Sequence, residues 1–248
     1  MDAQSPIPFA ARLHAHEPLL GTVLTLPDVA LAELVGEPLD FVWIDLEHGA
    51  LDARDVPPLA VAARAAGAAV LVRLPSADCP RVAAILDAGV DGLVAPRVDS
   101  AAQARRLVDS MRHPPRGTRG FAARRASGYG RPGAELADPL CLAQIESAAG
   151  VEAAEQIAAV EGVHALVVGC ADLALALDGA VEPASRRLRE AIASVQRAAE
   201  RAGIVSGIAG PEDPALLREL AAGSSTLLVC SADVRLYARA VEGLRVGA

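Results

Sequence analysis

The sequence predicts a (β/α)8 TIM barrel, and three observations support this. Eight short β-prone runs alternate with helical segments, most of the runs are apolar nearly throughout, and 248 residues suit eight such units. A doubly wound α/β sheet is the alternative, but it seldom contains eight regular units. We expect one barrel domain over residues 1–248, because no linker or low-complexity stretch interrupts the alternation.

The strands are predicted from their composition. Val, Leu and Ile dominate most of the runs with little polar alternation, as expected for parallel strands that are covered on both faces. In chain order, the predicted strands are residues 21–26, 41–45, 69–74, 92–96, 141–146, 165–169, 204–208 and 226–230.

Helices are predicted between the strands. Segments 55–67, 100–112 and 183–203 carry apolar residues at helical spacing. The first and the last of these segments end in glycine, which suits a helix C-terminus. Strand and helix therefore alternate as a parallel barrel requires.

Composition and charge limit the classes of partner. The net charge is −8 and the basic residues are dispersed, which argues against nucleic acid. No apolar run is long enough to span a membrane, and no secretory signal is visible. The four cysteines, Cys79, Cys141, Cys170 and Cys230, stand far apart, which fits a reducing compartment. We therefore expect a cytoplasmic protein with no nucleic acid or membrane partner.

The absence of lysine has a chemical consequence. All 23 basic side chains are arginines. A Schiff base between an enzyme lysine and a carbonyl substrate therefore cannot form in this chain.

The longest irregular stretch, residues 113–140, is rich in Gly, Pro and Arg. Loops of this length inside compact domains are usually functional or disordered. Attraction of anions by Arg116, Arg119, Arg124 and Arg125 is one interpretation. A solvated basic loop is the default interpretation.

Polar side chains follow several of the predicted strands. In a (β/α)8 barrel, the carboxyl ends of the strands form the active-site face. One arginine, one amide, one imidazole and several carboxylates are expected to converge there. They are Asp45, Glu47 and His48 after the second strand, Arg73 in the third, Gln144 and Glu146 in the fifth, and Asp172 after the sixth.

Each of these residues also has a purely structural interpretation. His48 alone is more often a surface or capping residue, and Arg73 or Glu146 can simply form a salt bridge. Asp172 can be the N-cap of the following helix. The convergence of four strands on one rim favours the functional interpretation of the set.

Two carboxylates, Glu146 and Asp172, form a plausible binding site for a hard divalent cation. Mg²⁺ or Mn²⁺ typically takes one or two carboxylates and completes its octahedron with water and substrate oxygens. The backbone N–H groups of Gly169, Cys170 and Ala171 lead into a helix and can receive a substrate carboxylate.

Arg73 and His48 complete the predicted chemistry. Arg73 supplies a rigid, positively charged guanidinium group whose N–H donors can contact a ketone or enolate oxygen. His48 is the one side chain of the set that ordinarily titrates near neutral pH, which makes it the natural proton carrier. Together, these groups are suited to removing a proton from a 2-oxo acid.

The same residues resemble a known family. The chain is similar to the HpcH/HpaI aldolases, metal-dependent class II pyruvate aldolases of the phosphoenolpyruvate/pyruvate barrel superfamily, from about residue 21 to residue 233. The motifs IDxEHG, QIE and GxADL, in this order and spacing, are specific. The segments that carry the resemblance are FVWIDLEHGALD, LVRLP, ILDAGVDGLVAPRVDSAAQAR, HPPRGTRG, AQIESAAGVEAAEQIAAVEGV and VGCADLALALD.

The resemblance implies roles for individual residues. It implies that His48 is the general base, that Asp45 organises its loop, and that Arg73 contacts the pyruvate oxygen. Gln144 then lies beside bound pyruvate. Asp87 matches an aspartate that approaches the histidine of a neighbouring subunit.

The resemblance also implies the cofactor and the assembly. Glu146 and Asp172 match the two ligands of a divalent metal, Mg²⁺ or Mn²⁺ first, with Co²⁺ or Zn²⁺ as alternatives. Family members are typically hexamers, arranged as trimers of dimers, whose barrels exchange the last helix. The missing lysine agrees with this assignment, because an enolate is stabilised either by an imine or by a cation.

The expected reaction is reversible aldol cleavage of a 4-hydroxy-2-oxo acid to pyruvate and an aldehyde. Oxaloacetate decarboxylation or biosynthetic C–C bond formation through the same enolate is the alternative, and a catalytically silent barrel is a third hypothesis. The sequence departs from the family at Cys170, where proline is usual, at Ala174, and in a shorter loop after Asp178. These changes lie near the substrate end and point to a specialised substrate.

Overall fold

Eight parallel strands form the centre of the protein. They pair in sequence order, and β8 pairs with β1, so the sheet closes into a barrel. The computed structural model describes residues 8–133, 136–182, 185–222 and 224–244. The strands are β1 Leu19–Leu24, β2 Phe41–Asp45, β3 Ala69–Arg73, β4 Gly92–Ala95, β5 Leu140–Ile145, β6 Ala165–Gly169, β7 Val205–Gly210 and β8 Ser225–Ala232.

Helices connect successive strands and surround the barrel, which confirms the predicted (β/α)8 fold. A short 3-10 helix, Arg125–Gly130, lies in the long connection before β5. The α-helices are α1 Phe9–His14, α2 Val29–Gly36, α3 Val56–Ala65, α4 Val82–Leu86, α5 Ala101–Met111, α6 Ala148–Glu152, α7 Ala154–Ala158, α8 Cys170–Asp178, α9 Arg186–Ala202, α10 Pro214–Ala221 and α11 Asp233–Gly243.

The predicted elements agree closely with the observed ones. All eight predicted strands are present, with ends that differ by about two residues, as hydrogen-bond pairing rather than composition decides where a strand stops. Helix α9 begins after its N-cap Ser185 and ends at Gly203, whose φ is +69°. The first two residues of that predicted helix, 183 and 184, lie outside the described residues, as do 134 and 135 of the long loop.

Alternation along the strands sorts the core into two layers. Phe41 and Trp43 point into the barrel, whereas Val42 and Ile44 point outward against the helices. Because side chains alternate every residue, Asp45 continues the inward set to the carboxyl end of β2. The polar strand ends therefore project into the mouth of the barrel.

The amino end of the barrel is closed by large side chains. The ring of Phe41 fills the space above Gly21, where a Cβ atom would lie 2.5 Å from the ring. Helix α1 adds Phe9, whose ring centroid is 5.6 Å from that of Phe41, and Leu13. Access to the barrel interior is therefore from the carboxyl end.

The last helix, α11, is exposed to solvent. Every residue of α11 after Asp233 is exposed, including four large apolar side chains. Among the described helices, none is long and apolar enough to cross a membrane.

Candidate active site

A cavity of about 590 Å³ opens at the carboxyl end of the barrel. Inward positions at the ends of β2, β3 and β5 contribute Asp45, Arg73 and Gln144 to its wall. All the predicted site residues except Asp87 line it, namely Asp45, His48, Arg73, Gln144, Glu146, Gly169, Cys170, Ala171 and Asp172. The expected convergence at one rim is therefore present.

Asp45 and Arg73 form a buried, two-pronged ion pair. Arg73 Nε and Nη2 donate to the two oxygens of Asp45 at 2.8 and 2.7 Å. Asp45 Oδ1 also accepts from the backbone N–H of Glu47 at 3.0 Å. The rim salt bridge considered for Arg73 thus exists, and it fixes the guanidinium at the cavity wall.

Glu47 belongs to the same group; it was expected at this rim, but the sequence analysis gave it no individual role. Its Oε2 lies 3.2 Å from Arg73 Nη1 and 3.7 Å from His48 Nε2. Burial raises the pKa of Glu47, and the nearby positive charge of Arg73 opposes this rise. His48, by contrast, is exposed over 63% of its side chain and is free to meet a ligand.

Glu146 is buried with only part of its hydrogen-bonding capacity satisfied. Its Oε2 accepts from the backbone N–H of Arg97 at 3.1 Å, whereas Oε1 is buried without a partner among the described residues. Burial raises the pKa of Glu146 to about 7, and the like charges of Glu47 and Asp172 add to the rise. A cation placed here would relieve both the burial and the repulsion.

The junction of β6 and α8 lets the chain approach this carboxylate. Helix α8 begins at Cys170, directly after the strand, so Asp172 lies in its first turn and is not the N-cap. A Cβ atom at Gly169 would overlap Glu146 Oε1 and lie 2.7 Å from Gln144 Nε2. Gln144 Oε1 is also buried without a described partner. The glycine therefore leaves room for the side chains of Glu146 and Gln144.

The residues present fit a divalent cation. Glu146 and Asp172 supply hard oxygen donors, and an orphaned carboxylate oxygen among like charges favours a metal over an empty space. Across the described ranges, no group of three or more His, Cys, Asp or Glu residues is arranged to hold a metal. Any ion here would draw its remaining ligands from water or substrate.

Cys170 is buried beside the site and is chemically quiet. Burial raises the pKa of its thiol to about 12, so it carries almost no thiolate at neutral pH. All four cysteines are free thiols. At this position, Cys170 therefore serves as a small apolar residue.

Asp87 does not reach this cavity. It is the C-cap of α4, and because barrel helices run antiparallel to the strands, it lies at the amino end of the barrel. There, Arg119 Nη2 donates to Asp87 Oδ1 at 2.8 Å. Within one chain, the structure does not bring Asp87 together with His48.

The sequence analysis also missed the β1 and β8 side of the cavity. Buried Asp233 accepts from Thr25 N at 2.8 Å, Thr25 Oγ1 at 2.6 Å and Leu26 N at 3.1 Å, which fixes the loop after β1. Ser231, which lines the cavity, has a φ of +55° where β8 shifts register against β1. The signal for these residues was the pair of polar side chains, Ser231 and Asp233, directly after the predicted eighth strand.

Comparison with known proteins identifies a sequence family. A family profile described as HpcH/HpaI aldolase/citrate lyase matches residues 27–239. A hydroxypyruvate/pyruvate aldolase of Deinococcus radiodurans is 36% identical over 95% of this chain and 87% of its own length. A 4-hydroxy-2-oxovalerate aldolase of Novosphingobium aromaticivorans is 34% identical over 98% of this chain and 95% of its own length.

A solved structure shares the fold. An HpcH/HpaI aldolase/citrate lyase family protein of Burkholderia cenocepacia superposes with a TM-score of 0.88 at 34% identity, over 95% of this chain and 96% of that protein. The similarity therefore extends across the barrel, including the elements that carry the cavity.

Proposed function

This chain belongs to the HpcH/HpaI aldolase/citrate lyase family, and we propose that it reversibly cleaves a 4-hydroxy-2-oxo acid into pyruvate and an aldehyde. The predictions of this family and of a carbon–carbon lyase are confirmed. The observation that carries the proposal is the buried, partly unsatisfied carboxylate of Glu146 beside Arg73 and Asp172 in an open cavity.

Glu146 and Asp172 would hold the divalent metal, Mg²⁺ or Mn²⁺. When bound, such an ion would supply the positive charge that stabilises an enolate in a chain without lysine. The unpartnered Glu146 Oε1 and the repulsion from neighbouring carboxylates support this placement.

Arg73, Gln144 and the start of α8 would orient the 2-oxo acid. The guanidinium of Arg73 is held by Asp45 and so presents its charge in one direction, toward the developing negative oxygen. Gln144 is buried beside Gly169 with its Oε1 free to engage a ligand or a water molecule. The residues at the start of α8 line the cavity, and the backbone N–H groups of this first turn would suit the carboxylate.

His48 would transfer the proton between substrate and solvent. It is exposed at the cavity rim and lies 3.7 Å from a carboxylate oxygen of Glu47. In cleavage, an imidazole in that place can take the 4-hydroxyl proton as the C3–C4 bond breaks, and a proton then returns to the enolate carbon to give pyruvate; synthesis is the reverse.

The proposed assembly is a cytoplasmic homo-oligomer, a hexamer, with the last helix exchanged between subunits. The exposed apolar side chains of α11 support a partner for that helix, because such surfaces are rarely left in water. They are Val234, Leu236, Tyr237 and Val241, and exposed Leu244 follows directly after the helix.

Replacing the proposed metal ligand tests this function. Glu146→Gln keeps the shape and the acceptor for Arg97 N–H but removes the charge. We expect Mn²⁺ affinity, measured by calorimetry, and metal-stimulated retro-aldol activity both to fall by about 100-fold or more. Glu200→Gln, an exposed change on α9, is the matched control.

Two results would count against the proposal. One is full retro-aldol activity in protein freed of metal by a chelating resin. The other is Mn²⁺ binding that is as tight in Glu146→Gln as in Glu200→Gln. Oxaloacetate is assayed alongside pyruvate with a panel of aldehydes. Decarboxylation would use the same residues, so only the substrate that is turned over distinguishes it from aldol chemistry.

A further inference from the structure

A second cavity, of about 710 Å³, lies at the other end of the barrel. It is lined by residues at the amino ends of β2 to β5, by α1, and by the long connection between α5 and β5. The proposed reaction makes no use of it.

Arg119 faces this cavity with an unsatisfied donor. The residue is only 6% exposed, and its Nη2 donates to Asp87. Its Nε is buried and has no acceptor among the described residues. A guanidinium N–H that is shielded from water and lacks an acceptor is costly, so its position at a cavity wall calls for an acceptor in the cavity.

Among the described residues around the cavity, one arginine has no carboxylate partner. Arg125 is exposed at its edge, and within the described ranges it forms no ion pair. Its aliphatic stem lies against Gly89, where a Cβ atom would come 2.7 Å from Arg125 Cγ. The lining carboxylates are already neutralised: Asp40 by Arg12 at 2.8 Å, Asp91 by Arg64 at 2.7 Å, and Asp138 by Arg116 at 2.6 Å.

We propose that this cavity binds a small oxyanion, a carboxylate or a phosphate group, between Arg119 Nε and Arg125. The anion accepts the hydrogen bond that Arg119 cannot make within the chain and balances the charge of Arg125. Arginine suits both anions because its planar fork matches their pairs of oxygens. The apolar side chains of Phe9, Leu86 and Val90 at the same wall would pack against the remainder of the ligand.

Calorimetric titration with inorganic phosphate and with succinate tests the proposal. The protein is first freed of metal with a chelating resin, and titrations are run at constant ionic strength on wild type, Arg125→Gln and Arg124→Gln. Arg125 is exposed, so its replacement leaves the core intact, and unchanged melting temperatures in ligand-free buffer verify this. Arg124 is its exposed neighbour outside the cavity and is the matched control.

Wild type and Arg124→Gln are expected to bind at least one anion, and Arg125→Gln to bind it about tenfold more weakly or worse. Binding of phosphate alone identifies a phosphate group as the ligand, and binding of succinate alone identifies a carboxylate. The proposal is overturned if wild type binds neither at millimolar concentration. Equal binding by Arg125→Gln, as would occur for succinate held in the catalytic cavity, or equal weakening by Arg124→Gln, overturns it as well.

Discussion

At the scale of single residues, Glu146 shows how a site is prepared at the expense of stability. Folding removes its carboxylate from water and gives one oxygen no partner among the described residues. Because the pKa of Glu146 is raised to about 7, the folded protein holds this proton more tightly than the unfolded chain does. The ionised form therefore destabilises the metal-free protein.

This predicts a pH-dependent gain from Glu146→Gln. Well below pH 4.5, the carboxyl group is protonated in the folded and unfolded states and does not change the free energy of unfolding. The destabilisation grows as the pH rises and is complete above about 7. At about 1.4 kcal/mol per pKa unit, it is on the order of 3 kcal/mol. We expect metal-free Glu146→Gln to melt about 5 °C or more above wild type at pH 8 and nearly with it at pH 5.

Thermal melts of both proteins at the two pH values measure this difference, and other titrating groups cancel in the comparison. A melting difference that is the same at pH 5 and pH 8 would show that the Glu146 charge is not the cause. The variant that loses metal binding should thus be the more stable protein without metal.

At the scale of elements, the junction of β6 and α8 sets the geometry of the site. Gly169 has a φ of −86°, which any residue can adopt, so the backbone does not require glycine there. The side chains of Glu146 and Gln144 do require it, because a Cβ atom would occupy their space.

Gly169→Ala is therefore expected to damage the site more than the fold. Displacement of the Glu146 carboxylate by the new methyl group should lower kcat/KM for retro-aldol cleavage by about 100-fold. Gly120→Ala, where a Cβ atom meets nothing within 4 Å, is the control and should retain wild-type kinetics. Steady-state assays with both variants decide the matter, and near-normal kcat/KM for Gly169→Ala would refute the steric argument.

Sequence reasoning succeeded where strand alternation decides the outcome. Asp45 and Arg73 are inward positions at the ends of apolar strands, so periodicity of two places them in the mouth of the barrel. Gln144 and Gly169 follow the same rule on β5 and β6. The rule needs no knowledge of loops.

It failed where loops or distant segments decide. Glu47 was expected at the rim, but it lies beyond the end of β2, so strand alternation does not predict its ion pair with Arg73. Asp233 acts on Thr25 across the closure of the barrel, 208 positions away in sequence. No local pattern contains either contact, because each joins residues that are distant in sequence and meet only in the folded barrel.

At the scale of the whole molecule, the two ends of the barrel carry different parts of the proposed machinery. His48 lies at the carboxyl end, whereas Asp87 is held by Arg119 at the amino end. Since a single chain cannot bring them together, a role for Asp87 at a histidine requires a second subunit. The exposed apolar face of α11 provides a surface for such an assembly.

Mixed oligomers test this arrangement. His48→Asn and Asp87→Asn are each expected to be nearly inactive alone. When equal amounts are dissociated and reassembled together, some sites receive an intact His48 from one chain and an intact Asp87 from its neighbour. With random mixing, about a quarter of the sites are complete, so retro-aldol activity should recover to about that fraction of wild type.

A second mixture makes the test specific. His48→Asn combined with Glu146→Gln should stay inactive, because both residues line the cavity of the same chain and no pairing of these subunits restores a complete site. Recovery in both mixtures would indicate reversion or contamination by wild type. If mass spectrometry shows that subunits have exchanged and the first mixture still has no activity, Asp87 does not act across an interface, and its ion pair with Arg119 is purely structural.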